Sequence, residues 1–304
     1  MPFKTVITDE SYLKSHFYPT KMEVHANGLC HPGHMEWTQD GRLLVSEFGR
    51  GRIVDITEGG DCRDAKPFAF GLQHPAGIIT NYEGNRIIVA DSGRDAIVDI
   101  TDGGDASNAP IILSGIPAPY GMVVFQNKLF ATYTNRETNG LTEVPDSSVR
   151  GARTFALTQA HAPAFPLGVS EHPYYLGRSG ACGSWTGVVA GNRLLLAQST
   201  FGIIWDVTER GQFDGNKHKR FAFGLTKPVG MIYHPELDFV FVAASGTGCV
   251  KAIPNAPETD MRFVPPIITG LKEPRCVRFA KDSLTMFVCD MSSCCVWRIE
   301  LRRY

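Results

Sequence analysis

The sequence predicts an all-β fold, a six-bladed β-propeller of four-stranded blades closed by an N-terminal strand. Three observations predict it. The first is repetition. Residues 30–72 and 73–116 share a His-Pro start, an Asp-Gly or Gly-Asn turn, an Ile-Val-Asp-Ile-Thr run, a Gly-Gly-Asp turn and a closing Gly-Leu or Gly-Ile. Self-similarity at such a period marks a solenoid or a propeller. The second is patterning. Short β-branched runs separated by turn residues fill each unit, and no helical period is sustained. The third is a missing piece: the last unit has only three apolar runs, and a spare one precedes the first unit.

The units start at HPGHMEW (31–37), HPAGIIT (74–80), APYGMVV (118–124), SWTGVVA (184–190), KPVGMIY (227–233) and EPRCVRF (273–279). From Pro32 to Pro75 the step is 43 residues, and from Pro75 to Pro119 it is 44. From Ser184 to Pro228 the step is 44, and from Pro228 to Pro274 it is 46. In the first unit, strand A is expected near 34–37, followed by the turn Gln39-Asp40-Gly41. Strands B, C and D follow at 43–47, 52–57 and 67–71. The third unit ends in a D strand at 153–157 and then carries an insertion rich in Pro, Gly and aromatics, with His161 and His172. Loops this long inside a compact repeat are usually functional. The sixth unit gives strands at 276–280, 285–290 and 294–301, and KMEVHANGL (21–29) supplies its fourth, which ties the termini together and removes open edges. The expected organisation is one domain, 1–304, with 1–19 as an extension and 158–183 as a long loop over the funnel face.

Apolar residues make up 43% of the 304, enough for a real core. A net charge of −1 gives no basic excess for a nucleic-acid partner, and no run suits a membrane span. The N-terminal stretch lacks the apolar core of a signal peptide, so a cytoplasmic location is expected. The eight cysteines (30, 62, 182, 249, 276, 289, 294 and 295) form no C-x-x-C pair and no zinc spacing. Most are expected to be buried thiols, and Cys294 and Cys295, adjacent on a strand, point to opposite faces.

The wiring places the D-to-A and B-to-C links on one face around the channel. That face gathers His31, His34, His74, Glu47, Asp91 and the insertion. The residues next to the blade starts add Tyr120, Trp185 and Arg275. The strand-B ends are Glu47, Asp91, Tyr133, Gln198, Ala244 and Asp290. Carboxylates there suit a hard divalent cation, Mg²⁺ or Ca²⁺, held by Glu47, Asp91 and Asp290, which would polarise a substrate carbonyl. His34 or His31 would move the proton, with Tyr120 beside them. Trp185 and Tyr120 would stack on a planar or cyclic substrate, and Arg275 would grip a carboxylate. His74, Gln198, Tyr133, His161 and His172 complete the expected substrate wall. Structural roles stand beside these: Asp91 and Asp290 as turn caps, His74 as a blade-start residue, Trp185 and Tyr120 as channel plugs, Arg275 in an ion pair with Glu273 or Asp290, and His161 and His172 as solvated loop residues. No phosphate loop, nucleophile elbow or Cys-His pair is present, and no organic cofactor is indicated.

VADSGRDAIVDI (89–100) resembles the strand B to strand C segment of NHL-type propellers. Pro119-Tyr120-Gly121-Met122, Pro228-Val229-Gly230-Met231 and Val45-Ser46-Glu47 resemble the blade pattern of the streptogramin B lyase group. The chain is more loosely similar to the SMP-30/gluconolactonase superfamily, whose Glu-Asn-Asn-Asp metal set is not matched. The lyase resemblance implies a general-base His beside the blade-start Pro and a metal-binding Glu at the end of strand B. His34 and Glu47 stand in that relation, with Gly33 intervening. The expectation is a small-molecule enzyme of lyase or hydrolase type acting at the funnel, assisted by a divalent metal. Two alternatives remain: a non-catalytic NHL-like propeller binding a protein or peptide, and a metal-free enzyme of specialised metabolism catalysing cyclisation or ring opening through His and Tyr.

Overall fold

The computed structural model describes residues 18–134, 138–144, 153–159, 185–208, 211–212 and 219–302. These form an all-β propeller of six sheets in chain order. The first holds Pro32–Trp37, Leu43–Glu47, Arg52–Asp55 and Pro67–Phe70 as strands A to D. The A strands stand innermost, each touching the next, and the strand of the sixth sheet touches that of the first. Five sheets are four-stranded blades. The fifth in chain order departs from expectation: it has three strands, Pro228–His234, Phe239–Ala244 and Cys249–Pro254. Its fourth is reduced to a Val250–Ile268 bridge, because the chain there, with Pro265 and Pro266, cannot supply a full ladder.

The repeated motifs hold this frame. B strands such as Leu43–Glu47 and Phe239–Ala244 are buried along their whole length, because neighbouring sheets cover both faces. That explains their continuous apolar runs. The Asp-x-Thr motif pins strand C to strand B. Thr57 donates from N and Oγ1 to Asp55 Oδ1 (3.0 and 2.5 Å), and Leu43 N donates to Thr57 Oγ1 at 2.9 Å. Asp99 with Thr101, and Asp206 with Thr208, repeat it. The C-to-D links latch sheets together. Gly60–Asp61 pairs in parallel with the outer strand of the sixth sheet, and Gly104–Asp105 with that of the first. Cys62, Ala106 and Met261, each next to a latch, are buried beneath it.

Tyr18–Asn27 pairs antiparallel with Cys295–Arg302, so the N-terminal strand closes the last blade, starting three residues earlier than expected. Residues 1–17 and most of 158–183 lie outside the described residues. Cys62, Cys249, Cys276, Cys289 and Cys295 are buried thiols. Cys294 is not on the strand; it occupies the left-handed corner before it, at φ 53°. Among the described residues no helix is long and apolar enough to cross a membrane.

Candidate functional site

The expected convergence of links on one face is built by hydrogen bonds between them. Phe48 N and Gly49 N of the first B-to-C corner donate to the carbonyls of His31 and Cys30. Ser92 and Gly93 donate likewise to His74 and Gln73, and Ser245 and Gly246 to Lys227 and Thr226. Four A strands are entered through a residue in the left-handed region: His31 (φ 50°), His74 (59°), Ala118 (41°) and Lys227 (49°). His31 and His74 thus share one backbone role, and both imidazoles are half-buried at the channel mouth. His74 stacks on Phe48 of the neighbouring sheet, 4.7 Å between ring centroids. Tyr120, half-buried, starts the third A strand. Arg275 starts the sixth and is ion-paired with Glu273.

The three expected metal ligands do something else. Each is the buried end of a B strand, and each caps the backbone of the link entering its own sheet. Cys30 N donates to Glu47 Oε1 (2.6 Å), and Gln73 N to Asp91 Oδ1 (2.7 Å). Lys272 N and Glu273 N donate to Asp290 at 2.9 and 2.8 Å. Glu47 also takes Arg50 at 3.0 Å and a short contact from Arg52, which in turn binds the carbonyls of Ala65 and Cys62. A cation at Glu47 would have to displace two guanidinium groups. Among the described residues no three His, Cys, Asp or Glu side chains gather as a metal site. The expected Mg²⁺ or Ca²⁺ does not fit this donor set. Asp91 is the loosest of the three. Arg94 Nε lies 3.3 Å from its Oδ2 without a hydrogen bond, and burial pushes its pKa up to about 6 against the pull of Gln73 N–H and Arg94.

His34 also departs from expectation. It is buried between sheets, two residues after the blade-start Pro. There the second to fifth sheets carry Gly77, Gly121, Gly187 and Gly230, and the sixth carries Cys276. Ile78 N approaches its Nδ1 at 3.3 Å, and Arg278 Nη2 approaches its Nε2 at 2.9 Å. With its proton on Nδ1 the neutral ring accepts from Arg278 at Nε2, and Nδ1–H then faces Ile78 N–H without bonding it. Burial first, then the Arg278 charge, holds its pKa well below the usual imidazole range. Both causes favour the neutral ring over the imidazolium.

Arg278 and Glu36, partners that sequence reasoning missed, complete this cluster. Arg278 Nε donates to Glu36 Oε2 (3.0 Å), where Nη2 also lies at 3.0 Å. Its Nη1 donates to Val277 O (2.7 Å) and Met231 O (3.5 Å). Each of its five N–H groups faces an acceptor. The signal was available. Four residues after the blade start, the other sheets have Ile79, Val123, Val189 and Ile232, so a Glu and an Arg at that register stand out.

The remaining expected residues divide. Trp185 pairs with Gln198 as Pro32 pairs with Glu47, so Trp185 replaces the blade-start Pro and does not follow it. Gln198 is buried and accepts from Trp205 Nε1 at 2.8 Å, and Tyr133 packs in an apolar cluster with Tyr82 and Ile97; neither lines a substrate wall. His161 and His172 lie outside the described residues. His31, His74, Tyr120 and Arg275 thus lie at the starts of four inner strands, while His34, Glu47, Asp91, Asp290, Gln198 and Tyr133 are buried among protein partners.

No protein-family model matches the chain, and no curated protein matches it by sequence. Solved structures do. A gluconolactonase of Xanthomonas campestris superimposes with a TM-score of 0.63 at 12% identity, over 97% of this chain and 94% of that one. A virginiamycin B lyase of Staphylococcus aureus gives 0.56 at 14% identity, over 93% and 99%. A PQQ-bound aldose sugar dehydrogenase of Streptomyces coelicolor gives 0.64 at 13% identity, over 94% and 100%. At such identities these likenesses show the fold, a β-propeller resembling lactonase and streptogramin lyase structures.

Proposed function

We propose that this chain is a small-molecule enzyme of lyase or hydrolase type, acting at the blade-start mouth of a propeller whose three-stranded sheet counts as the fifth of six blades. The observation that carries the reading is the placement of half-buried His31, His74, Tyr120 and Arg275 at the starts of four inner strands, on one face of the ring. Concave sites with a few convergent polar groups are where small ligands bind. Lactonases and streptogramin lyases among the structural likenesses support ester or lactone substrates.

The chain's own groups run the reaction. Arg275, anchored by Glu273, holds the carbonyl oxygen of the substrate and stabilises the charge that develops there. His31 takes the proton on the carbon next to that carbonyl. The C–H electron pair forms a C=C bond as the C–O bond to the leaving group breaks. Tyr120 gives its proton to the departing oxygen and is reprotonated from His31. In the hydrolytic variant His31 takes a proton from water, the hydroxide adds to the carbonyl carbon, and on collapse of the adduct the acyl C–O bond breaks as Tyr120 protonates the departing oxygen and is reprotonated from His31.

The test is turnover on a panel of lactones and cyclic esters. His31→Ala and Tyr120→Phe are each expected to lower the rate by about 10²–10⁴ without lowering the melting temperature. A wild-type rate in both variants sinks the assignment, as does a panel on which the wild type is inert. The same panel run with EDTA tests the metal: a carboxylate-held cation would make turnover EDTA-sensitive, and this reading expects none.

A further inference from the structure

The other half of the channel encloses a cavity of about 340 Å³. Its wall includes the residue four places after each blade start (Glu36, Ile79, Val123, Val189, Ile232 and Arg278), joined by neighbours in the same strands that include Thr80 and Val124. Along an extended strand that ring of six lies about 13 Å from the blade-start mouth. The layer containing His34 and Cys276 separates the two. The cavity falls at the small end of the usual pocket range, about 300–1,000 Å³.

What the cavity offers is decided by the Arg278–Glu36 pair. All five guanidinium donors already face Glu36, His34, Val277 O or Met231 O, so Arg278 has none to give a ligand. Glu36 uses Oε1 to accept from Trp37 N at 3.1 Å and Oε2 to accept from Arg278. A carboxylate has about four acceptor positions, and three are used. One carboxylate acceptor position therefore remains, the Thr80 hydroxyl spends its proton on Trp37 O at 2.5 Å, and the two charges cancel. A carboxylate ligand would find no donor there. An ammonium would meet Arg278 beside its only partner. A neutral hydroxyl suits both the hydrogen-bonding capacity and the charge.

We propose that this cavity binds a small neutral alcohol, an apolar body with one hydroxyl donating to Glu36. It is a second site, distinct from the mouth where His31 and Tyr120 act. Matched probes test it: cyclohexylmethanol, methylcyclohexane, cyclohexanecarboxylate and cyclohexylmethylammonium, titrated into the full chain with calorimetry and saturation-transfer NMR. The alcohol should bind at least about tenfold more tightly than each of the others, a difference of about 1.4 kcal/mol. Val124 lines the cavity and is 37% exposed, so Val124→Trp should fill the space from its rim, abolish binding and leave the melting temperature unchanged. His31→Ala should leave alcohol binding intact while removing turnover, so the two sites fail separately. The proposal is overturned by no alcohol binding, by equal affinity for carboxylate or ammonium, or by binding that survives Val124→Trp.

Discussion

The inner strands meet in two different ways around the ring. Between the second and third sheets the backbones touch: Gly77 N donates to Tyr120 O at 2.7 Å, and a Cβ at Gly77 would sit 2.5 Å from that oxygen. At Gly230 a Cβ would sit 2.2 Å from Arg275 O. Around the first sheet, side chains intervene instead. Met35 N donates to Cys276 Sγ at 3.4 Å, and Ile78 N faces His34 Nδ1 at 3.3 Å. One register step away, Arg278 contacts the fifth, sixth and first sheets together. The polar seam joins the inner strand of the first sheet to that of the sixth, the sheet that the two terminal strands complete. It teaches that glycine sets spacing where backbones pack directly, while a saturated ionic cluster fills the junction of the sixth sheet with the first.

The sharpest way to break that contrast is at Arg278. Arg278→Ala leaves Glu36 buried without its partner and should cost about 3–5 kcal/mol in urea unfolding. Arg278→Met with Glu36→Leu should recover most of that, because well-packed apolar replacements of buried ion pairs are often neutral. A double variant as unstable as the single one would mean that closure needs the charges themselves. On the glycine side, Gly230→Ala forces the sixth sheet outward and should cost about 1–3 kcal/mol. His34→Gly, which converts the polar junction to the glycine type, should cost less, and comparing the two melts decides whether the junctions are interchangeable.

The corner carboxylates sharpen the comparison further, through pH. Asp91 titrates near 6 in the folded protein and near 3.8 when unfolded. Between those values the folded state holds a proton that the unfolded state has lost. The resulting stability is fully present below about 3.8 and disappears as pH rises through about 6, a change of at most about 3 kcal/mol before solvent screening. Asp282 and Asp99 are held below the usual carboxylate range and slope the opposite way. The wild type minus Asp91→Asn difference isolates the Asp91 contribution. Stability of the wild type should fall relative to Asp91→Asn between pH 4 and 6; parallel curves would place Asp91 in a normal environment.

Much of the frame was legible in local pattern. Leu43–Glu47 and Thr285–Asp290 have the predicted strand bounds, because turn chemistry and apolar runs are short-range signals. The candidate site was legible only as a face. Glu47, Asp91 and Asp290 sit where the repeat put them, but whether an acid at a strand end binds metal or caps a link depends on which N–H groups arrive from about 17 residues upstream. Trp185 was misplaced by one residue because a unit start without Pro leaves the register open, and pairing with Gln198 closes it.

The sequence by itself determined the period, the strands and the closure by Tyr18–Asn27, since each follows from alternation, turns and one missing strand. Tertiary structure alone decided that His34 is a partner of Arg278, 244 residues away, and that this arginine and Glu36 line one cavity as an ion pair. The physical reason is burial. A side chain's charge state and hydrogen-bonding capacity are set by what replaces water around it, and in a closed ring those neighbours come from opposite ends of the chain.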